Sequence, residues 1–590
     1  MSKNGFARLM AEPLESRLAL AGNVLAAVSG SNLNITGDDL DNSIIITQLN
    51  DTQVRILGVG TTTIGGAAFQ DVTFNGGNLH LRMRGAADVV QVGDFIRDIN
   101  FRYVSVDGGA GADTVAFNRV NVTDGGSAYI TLGSYSEVDA DSFTAINSNF
   151  SGYLSLQTGG GGDTVNLGDG GNLVGIRSLY LDTGAGSDNV TTNFINLTGG
   201  NTSTFRLGGS EFEFDQLTMT NTSSQGYLNL YTGGGGDIIT LNGLSVQSSL
   251  NLDAGSGDDS IQSNTSLFTA GNAYFNLGDG GNDMDIIGVF QVNGNLTVYG
   301  QNLVDTVTIN ATSTIQGDAN FYLGGGDNRL EIDGSFDLGD DFYASFYNGN
   351  DTLTADGLDA DRFDVNLGSG TNNVTLSNLD LTSSFNIYGG YDADTLDIDN
   401  VITTAAYFSL SGGFNTLDIN GLSRGLGQRT QLTIYSGYAG SDIDLTNILV
   451  DRFYAGLGAG TNTVDITSLS ANNVTLYGGW QDDSFSFNGL LTNSLYMTLG
   501  TGTNSLTATN ANVTGRATVY GGLSEDTVSI SSATIFDAYM SLIFGDDDVT
   551  LTNVTLTDRV YLNGGLGTNT LTQTGVTLPP PDRVTILNFI

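Results

Sequence analysis

The 590-residue chain has 83 glycines, no cysteine, one histidine and a net charge of −44, yet charged residues make up only 14%, against about 25% in an average soluble domain. Such a chain builds no disulfide framework and no thiolate or histidine zinc site. It also lacks the basic face that nucleic-acid binding requires, and small cations are the partners its charge favours. Only seven of the 63 acids are Glu, Lys3 is the only lysine, and positions 14–578 contain no proline. Glu and Lys favour helices, whereas Asp and Gly belong in turns. A proline-free chain rich in Val, Ile, Thr, Leu and Asn is therefore all-β. No run of 18 apolar residues is present, so no transmembrane helix is expected.

In chain order, residues 1–22 read as an export or sorting segment. Lys3, Arg8 and Arg17 are present, but Glu12, Glu15 and Arg17 interrupt any apolar core, so the segment is a poor secretory signal by itself. The small-residue pattern Ala19-x-Ala21 places a cleavage after Ala21. The run EPLESRLALAGN (12–23) resembles the LEPR-x-LL-type segment that opens large repetitive surface proteins of planctomycete bacteria, with Ser16 where that family has proline. SGSNLNITGDDLDNSIIIT (29–47) resembles the first repeat of such proteins. The resemblance implies a secreted or cell-surface location and brings no catalytic residues. Residues 23–80 read as irregular β leading into, and covering, the first of the repeats.

Residues 81–578 carry those repeats. GGAGADTV (108–115), GGGGDTV (159–165), GAGSDNV (184–190), GGGGDII (233–239) and GSGDDSI (255–261) recur along the chain. Taking the acid or amide before the apolar pair as anchor gives a ladder from Asp88 to Asn569 with a mean step of about 23 residues. It includes Asp141, Glu213, Asp283 and Asp442. Short alternating stretches flank each glycine turn, as strands with one buried face do. Two or three strands in so short a unit close no core alone, so the units must stack. The expectation is a parallel β-solenoid, a right-handed β-helix of about 22 coils, in which every central N–H reaches the next coil and proline is excluded. A bladed propeller, with blades of about 40–50 residues, is the alternative.

From residue 299 the ladder alternates. Units with an Asp anchor carry Tyr299, Tyr388, Tyr477 and Tyr520; the intervening units have Asn anchors and Leu367, Leu457 or Leu499. Stacked carboxylates repel by about 1 kcal/mol in water and by several near an effective dielectric of 20, so Asn at every second step relieves the column. The N-terminal anchors, Asp88 to Asp283, are acidic at each step of this alignment, so those turns are splayed or hold something positive.

The motif GGxGxD followed by an apolar residue resembles the calcium-binding nonapeptide of RTX β-roll proteins, matching in the turn alone. The resemblance implies calcium, which takes about 6–8 oxygens, at Asp113, Asp163, Asp188, Asp237, Asp259 and Asp283. The alternative is an Asp that only forms the turn.

His80, Arg82 and Arg84 share one face of NLHLRMR (78–84), as a solvated outer strand or a receptor for acidic groups. Tyr299, Tyr388, Tyr477 and Tyr520, with Trp480, either cover bare glycines or stack on sugars. Carboxylate pairs such as Asp258-Asp259, Asp340-Asp341 and Asp482-Asp483 suit a carbohydrate-active β-helix enzyme, a polysaccharide lyase or hydrolase. Arg329, Arg362 and Arg452 form no motif with them, and the even spacing leaves no room for long cleft-building loops. The sequence therefore points to a non-enzymatic structural or adhesive surface protein, a rod-like spacer whose acidic edge binds calcium. Its expected partners are divalent cations, polysaccharide or neighbouring surface proteins. Pro579 to Pro581 stop the ladder, and 582–590 holds one short terminal strand.

Overall fold

The structure is a computed structural model that describes residues 22–209, 212–423 and 429–590. The expected cleavage after Ala21 lies outside the described residues. Among the described residues, strands make up about 63%, with almost no helix, in a parallel β-solenoid of about 23 turns. The propeller is excluded, because neighbouring coils pair in parallel through the repeats. Two compact units are present: Met1–Asn189 with Phe194–Asn196, and Val190–Asn193 with Leu197–Ile590.

In the first unit a typical coil consists of strands Tyr103–Ala110, Thr114–Asn118 and Val120–Val122. Each pairs in parallel with its counterparts one coil before and one coil after. Val104 lies between Leu79 and Ala128, Val115 between Val90 and Phe143, and Asn121 between Asn100 and Asn149. Three parallel sheets result. The first and second are joined by the glycine–aspartate turn. The second and third are joined by one left-handed residue, such as Arg119 (φ 57°) or Asn147 (φ 52°). Alternation turns Val104, Val106, Val115, Phe117, Val120 and Val122 into the lumen, all 2% exposed or less.

Stacking starts earlier than the sequence suggested. Residues 23–80 already contain a coil: Asn32–Thr36 pairs in parallel with Asn78–Gly85, and Ser43–Asn50 with Val89–Val92. What is irregular is a hairpin excursion, in which Gln53–Gly58 pairs antiparallel with both Ser43–Asn50 and Phe69–Thr73. Asn23–Ser29 folds antiparallel onto Asn32–Thr36.

The second unit repeats the pattern with short strands at first and longer ones from Asp283–Val292 onward. In Gly440–Gly456 and Thr461–Tyr477 the chain turns corners without leaving the ladder, and these two strands pair along most of their length. Phe321, Phe342, Phe363, Phe385 and Phe408 stack inside, with ring centroids 4.6–5.6 Å apart. Like residues thus bury one another coil after coil, the condition under which a short repeat acquires a core. After Pro579 to Pro581, Val584–Leu587 pairs in parallel with Thr555–Asn563.

Candidate functional site

The glycine turn is tight because it stacks on its neighbour through backbone. Gly109 and Gly111 have φ of 116° and 108°, and a Cβ on Gly109 would lie 1.6 Å from the Arg84 carbonyl oxygen one coil back. Only glycine meets both conditions. The turn delivers Asp113 into the wall of the coil, where it is 1% exposed.

There the anchors form a directional hydrogen-bond column. In the first unit the backbone N–H of Asn42 donates to Asp88 Oδ1, Asp88 to Asp113, Asp113 to Asp141, Asp141 to Asp163, and Asp163 to Asp188, at 2.7–2.8 Å. In the second unit the column runs from Asp215 through Asp237, Asp259, Asn282, Asp305, Asn328, Asp351, Asn372 and Asp394 to Asn415. It runs again from Asn462 to Asn569. Each side-chain oxygen thus accepts from the coil before it. A bond of this kind contributes about 0.5–1.5 kcal/mol with a neutral acceptor and about 1.5–3 kcal/mol where the carboxylate is ionised.

Three sequence anchors are corrected by this register. Glu213 yields its place to Asp215, Asp283 to Asn282, and Asp442 to Ser441. Asp283 is an exposed strand residue outside the column. The expectation of acid at every step up to Asp283 therefore fails at Asn282. The other five expected ligands, Asp113, Asp163, Asp188, Asp237 and Asp259, all stand in the column, as does Asp141. At Ser441 the side chain is too short to reach the previous coil, and its hydroxyl donates to the Gly440 carbonyl instead.

The second oxygen differs along the chain. In Asp88, Asp113, Asp141 and Asp259, as in Asp163, Asp237, Asp305, Asp351, Asp394 and Asp547, it is buried with no hydrogen-bond partner, whereas in Asp483 and Asp526 it accepts from the Gly479 and Gly522 N–H groups. Burial therefore pushes the Asp88, Asp113, Asp141 and Asp259 carboxyls up to about 7, 7, 8 and 8, against the stabilising backbone N–H, with neighbouring acids adding to the rise. Burial raises Asp163 to about 6 and also raises Asp237, against the N–H donated by Asp141 and by Asp215. Where Asn intervenes, its amide adds a second donor to the same oxygen. Asn282, Asn372, Asn462 and Asn504 donate Nδ2–H to the Oδ1 of the next Asp at 2.7–2.9 Å. Asn462 and Asn504 also donate to the Gly460 and Gly502 carbonyls. The alternation supplies donors as well as removing charge.

A second column, one residue earlier in the turn, runs the opposite way. The N–H of Gly281 donates to Asp258, that of Asn350 to Asp327, and that of Thr503 to Asp482, at 2.7–2.8 Å. The turns that make both bonds are thereby braced from both sides. Among the described residues, no group of three or more His, Asp or Glu side chains is arranged to hold a metal ion.

The tyrosines settle the double period. Tyr388, Tyr407, Tyr435, Tyr454, Tyr477, Tyr496, Tyr520 and Tyr539 form one outer row with centroids 5.4–5.9 Å apart. They zigzag: Tyr454 stands beside Thr433 and Thr475, while Tyr477, two positions along, stands beside Gly456 and Thr498. Tyr435, Tyr454, Tyr477, Tyr496 and Tyr520 each lie between Gly, Ser or Thr positions of the adjacent coils, mostly Thr rather than the bare glycines expected, while Tyr539 pairs in register with Tyr561. Trp480 belongs elsewhere, on the turn itself.

Arg82 faces Asp107 at 3.3 Å, Arg329 pairs with Glu331 and Arg362 with Asp341, while the His80 ring packs against Tyr103. No family model, curated protein or solved structure matches this chain. Fold and geometry thus define a parallel β-solenoid repeat protein, and its function rests on the residues themselves. Among the described residues, no helix is long and apolar enough to cross a membrane.

Proposed function

We propose that this chain is an exported structural or adhesive cell-surface repeat protein, a spacer whose turn edge takes up calcium and meets polysaccharide or neighbouring surface proteins. The observation that carries the reading is the column itself. From Asp88 onward in the first unit, and along the second unit's column, the same N–H to Oδ1 bond recurs from coil to coil at sequence steps of 21–28 residues. A chain that spends its sequence on repeating one brace builds length and stiffness; a β-helix enzyme instead needs loops that rise above the coils to form a cleft. We therefore read the protein as a non-enzyme. The partnerless second oxygens of Asp113 and Asp259 support the calcium part, since a buried carboxylate oxygen is satisfied by a proton or a cation.

Antibody labelling of intact against permeabilised cells tests the location. Labelling of intact cells is the expected result, and labelling only after permeabilisation would remove the surface reading. Release of reducing or unsaturated ends from a polysaccharide panel would replace it with the lyase or hydrolase reading.

A further inference from the structure

The glycine turns of the second unit carry a second regularity, distinct from the buried column. Three positions before the anchors from Asn372 to Asn504 the chain reads Ser369, Tyr391, Gly412, Tyr438, Ala459, Trp480 and Thr501. Large rings thus alternate with small residues, coil by coil. Tyr391, Tyr438 and Trp480 are 83%, 84% and 79% exposed, so these rings cover nothing of their own fold. Tyr347, one position earlier in its own turn, is 72% exposed and continues the row, while Phe414 stands at the exit of the Gly412 turn.

The gaps are built in. Gly412 donates its N–H to the Gly390 carbonyl and Gly413 to the Tyr391 carbonyl, both at 2.9 Å. A Cβ on Gly412 would sit 1.6 Å from the Tyr391 oxygen, so no side chain fits between these two rings. Between Tyr347 and Tyr391 lies a cleft of about 410 Å³ floored by Gly368, Ser369 and Gly390. Rings two coils apart are separated by about 9–10 Å. The main column holds the Tyr391 and Trp480 turns through Asp394 and Asp483, the opposed bond to Asp482 also holds the Trp480 turn, and in the Tyr438 turn the Ser441 hydroxyl closes on the Gly440 carbonyl.

We propose that this row is a binding platform for an extended, neutral β-1,4-linked polysaccharide whose sugar rings stack on Tyr391, Tyr438 and Trp480. An extended chain of that linkage presents the same ring face at every second sugar, an interval close to two coil spacings. Amphipathic rings held rigid offer contact area at low entropic cost. The exposed carboxylates of Asp392 and Asp482 stand beside the rings, as acceptors for sugar hydroxyls. In a chain of net charge −44 they also repel an anionic glycan. The proposal names the partner of the adhesive reading and rests on it, but the site is a property of the purified protein.

Trp480 is the only tryptophan, so its emission reports the platform directly. The test titrates the full chain with cellohexaose, cellobiose and polygalacturonate while following Trp480 fluorescence. A saturable shift with cellohexaose, weaker by about tenfold or more with cellobiose and absent with polygalacturonate, is expected, because only the longer neutral chain spans two rings. Tyr438→Ala should weaken cellohexaose binding by about tenfold with an unchanged melting temperature. Tyr454→Ala, on the outer tyrosine row, should leave it unchanged. Trp480 emission unmoved by cellohexaose, equal binding of polygalacturonate, or equal loss in both variants would overturn the proposal. Cellohexaose binding by a protein that antibodies find only inside cells would leave the site standing and remove the surface reading instead.

Discussion

The backbone N–H of Asp113 donates to Oδ1 of Asp141, 28 residues later, at 2.7 Å. Asp141 in turn passes its own N–H to Asp163. Each anchor is therefore acceptor for the coil before and donor to the coil after, and polarity runs one way along the column. The second column, through Asp258, Asp327 and Asp482, runs the other way. A turn held from both sides shifts only if both neighbours shift with it.

The column makes stability depend on pH in the direction opposite to a salt-bridged acid. Asp88 lies at about 7, Asp141 at about 8, and Asp305 and Asp351 at about 6, all raised by burial. An unfolded Asp titrates near 3.9. The folded state therefore holds more protons between these values, and its stability falls as pH rises. The contribution is complete below about pH 4 and is lost as pH rises through 6 to 8. Melts in chelator from pH 4 to 9 should show the midpoint falling across that window. A midpoint that rises over it would contradict the protonated column.

Asparagine should substitute for aspartate in the all-acid stretch. Asp141→Asn keeps the Oδ1 acceptor and adds the donor that Asn462 uses on the Gly460 carbonyl. At pH 8 the variant should be more stable than the parent by about 1–2 kcal/mol, and near pH 4 the gain should vanish. Chemical denaturation at both values checks this.

Loss of the acceptor is costly where the network is fullest. Asp526 accepts from the Asn504 N–H and Nδ2–H and from the Gly522 N–H. Asp526→Ala should destabilise by about 2–4 kcal/mol, and Asp526→Asn by much less. Equal losses would show that volume, not hydrogen bonding, governs the site.

Calcium competes with protons for the same oxygens. If the calcium part of the reading holds, millimolar calcium should raise the melting midpoint at pH 8 more than magnesium does, since a ligand of the folded state stabilises it by mass action. Asp113→Asn with Asp259→Asn should abolish the difference. Equal effects of the two ions would reduce them to screening.

The outer tyrosine row predicts a phase effect. Tyr454 fits over Thr433 and Thr475 because those positions are small. Thr475→Tyr would set three rings side by side and should destabilise by about 1–3 kcal/mol. Placing the ring at Thr498, beside Tyr477, should cost about the same.

The period, the parallel stacking and most of the column were legible in the sequence because glycine and Asp repeat together and proline is missing. Register was misread where turn length changes. Asp113 is followed at its second and fourth positions by lumen residues Val115 and Phe117. Asp215 meets the same rule with Leu217 and Met219, Asn282 with Met284 and Ile286, and Ser441 with Ile443 and Leu445. Glu213, Asp283 and Asp442 have Asp215, Asp285 and Asp444 at the second position and fail it. The direction of the column, and the burial that turns an expected solvated edge into a proton-holding wall, required coordinates. So did the tyrosine zigzag, since Tyr407, Tyr454 and Tyr496 sit two positions from where the repeat places the others.

The central claim is the directional column, and the most direct measurement of it is amide hydrogen exchange on the parent and on Asp141→Ala. The parent should protect the Asp113 and Asp163 amides more than those of the exposed turn residues between anchors. In the variant, protection should be lost at Asp113, whose acceptor is gone, and retained at Asp163, whose acceptor is Asp188. Loss at Asp163 with Asp113 still protected, or no change at either, would contradict the account.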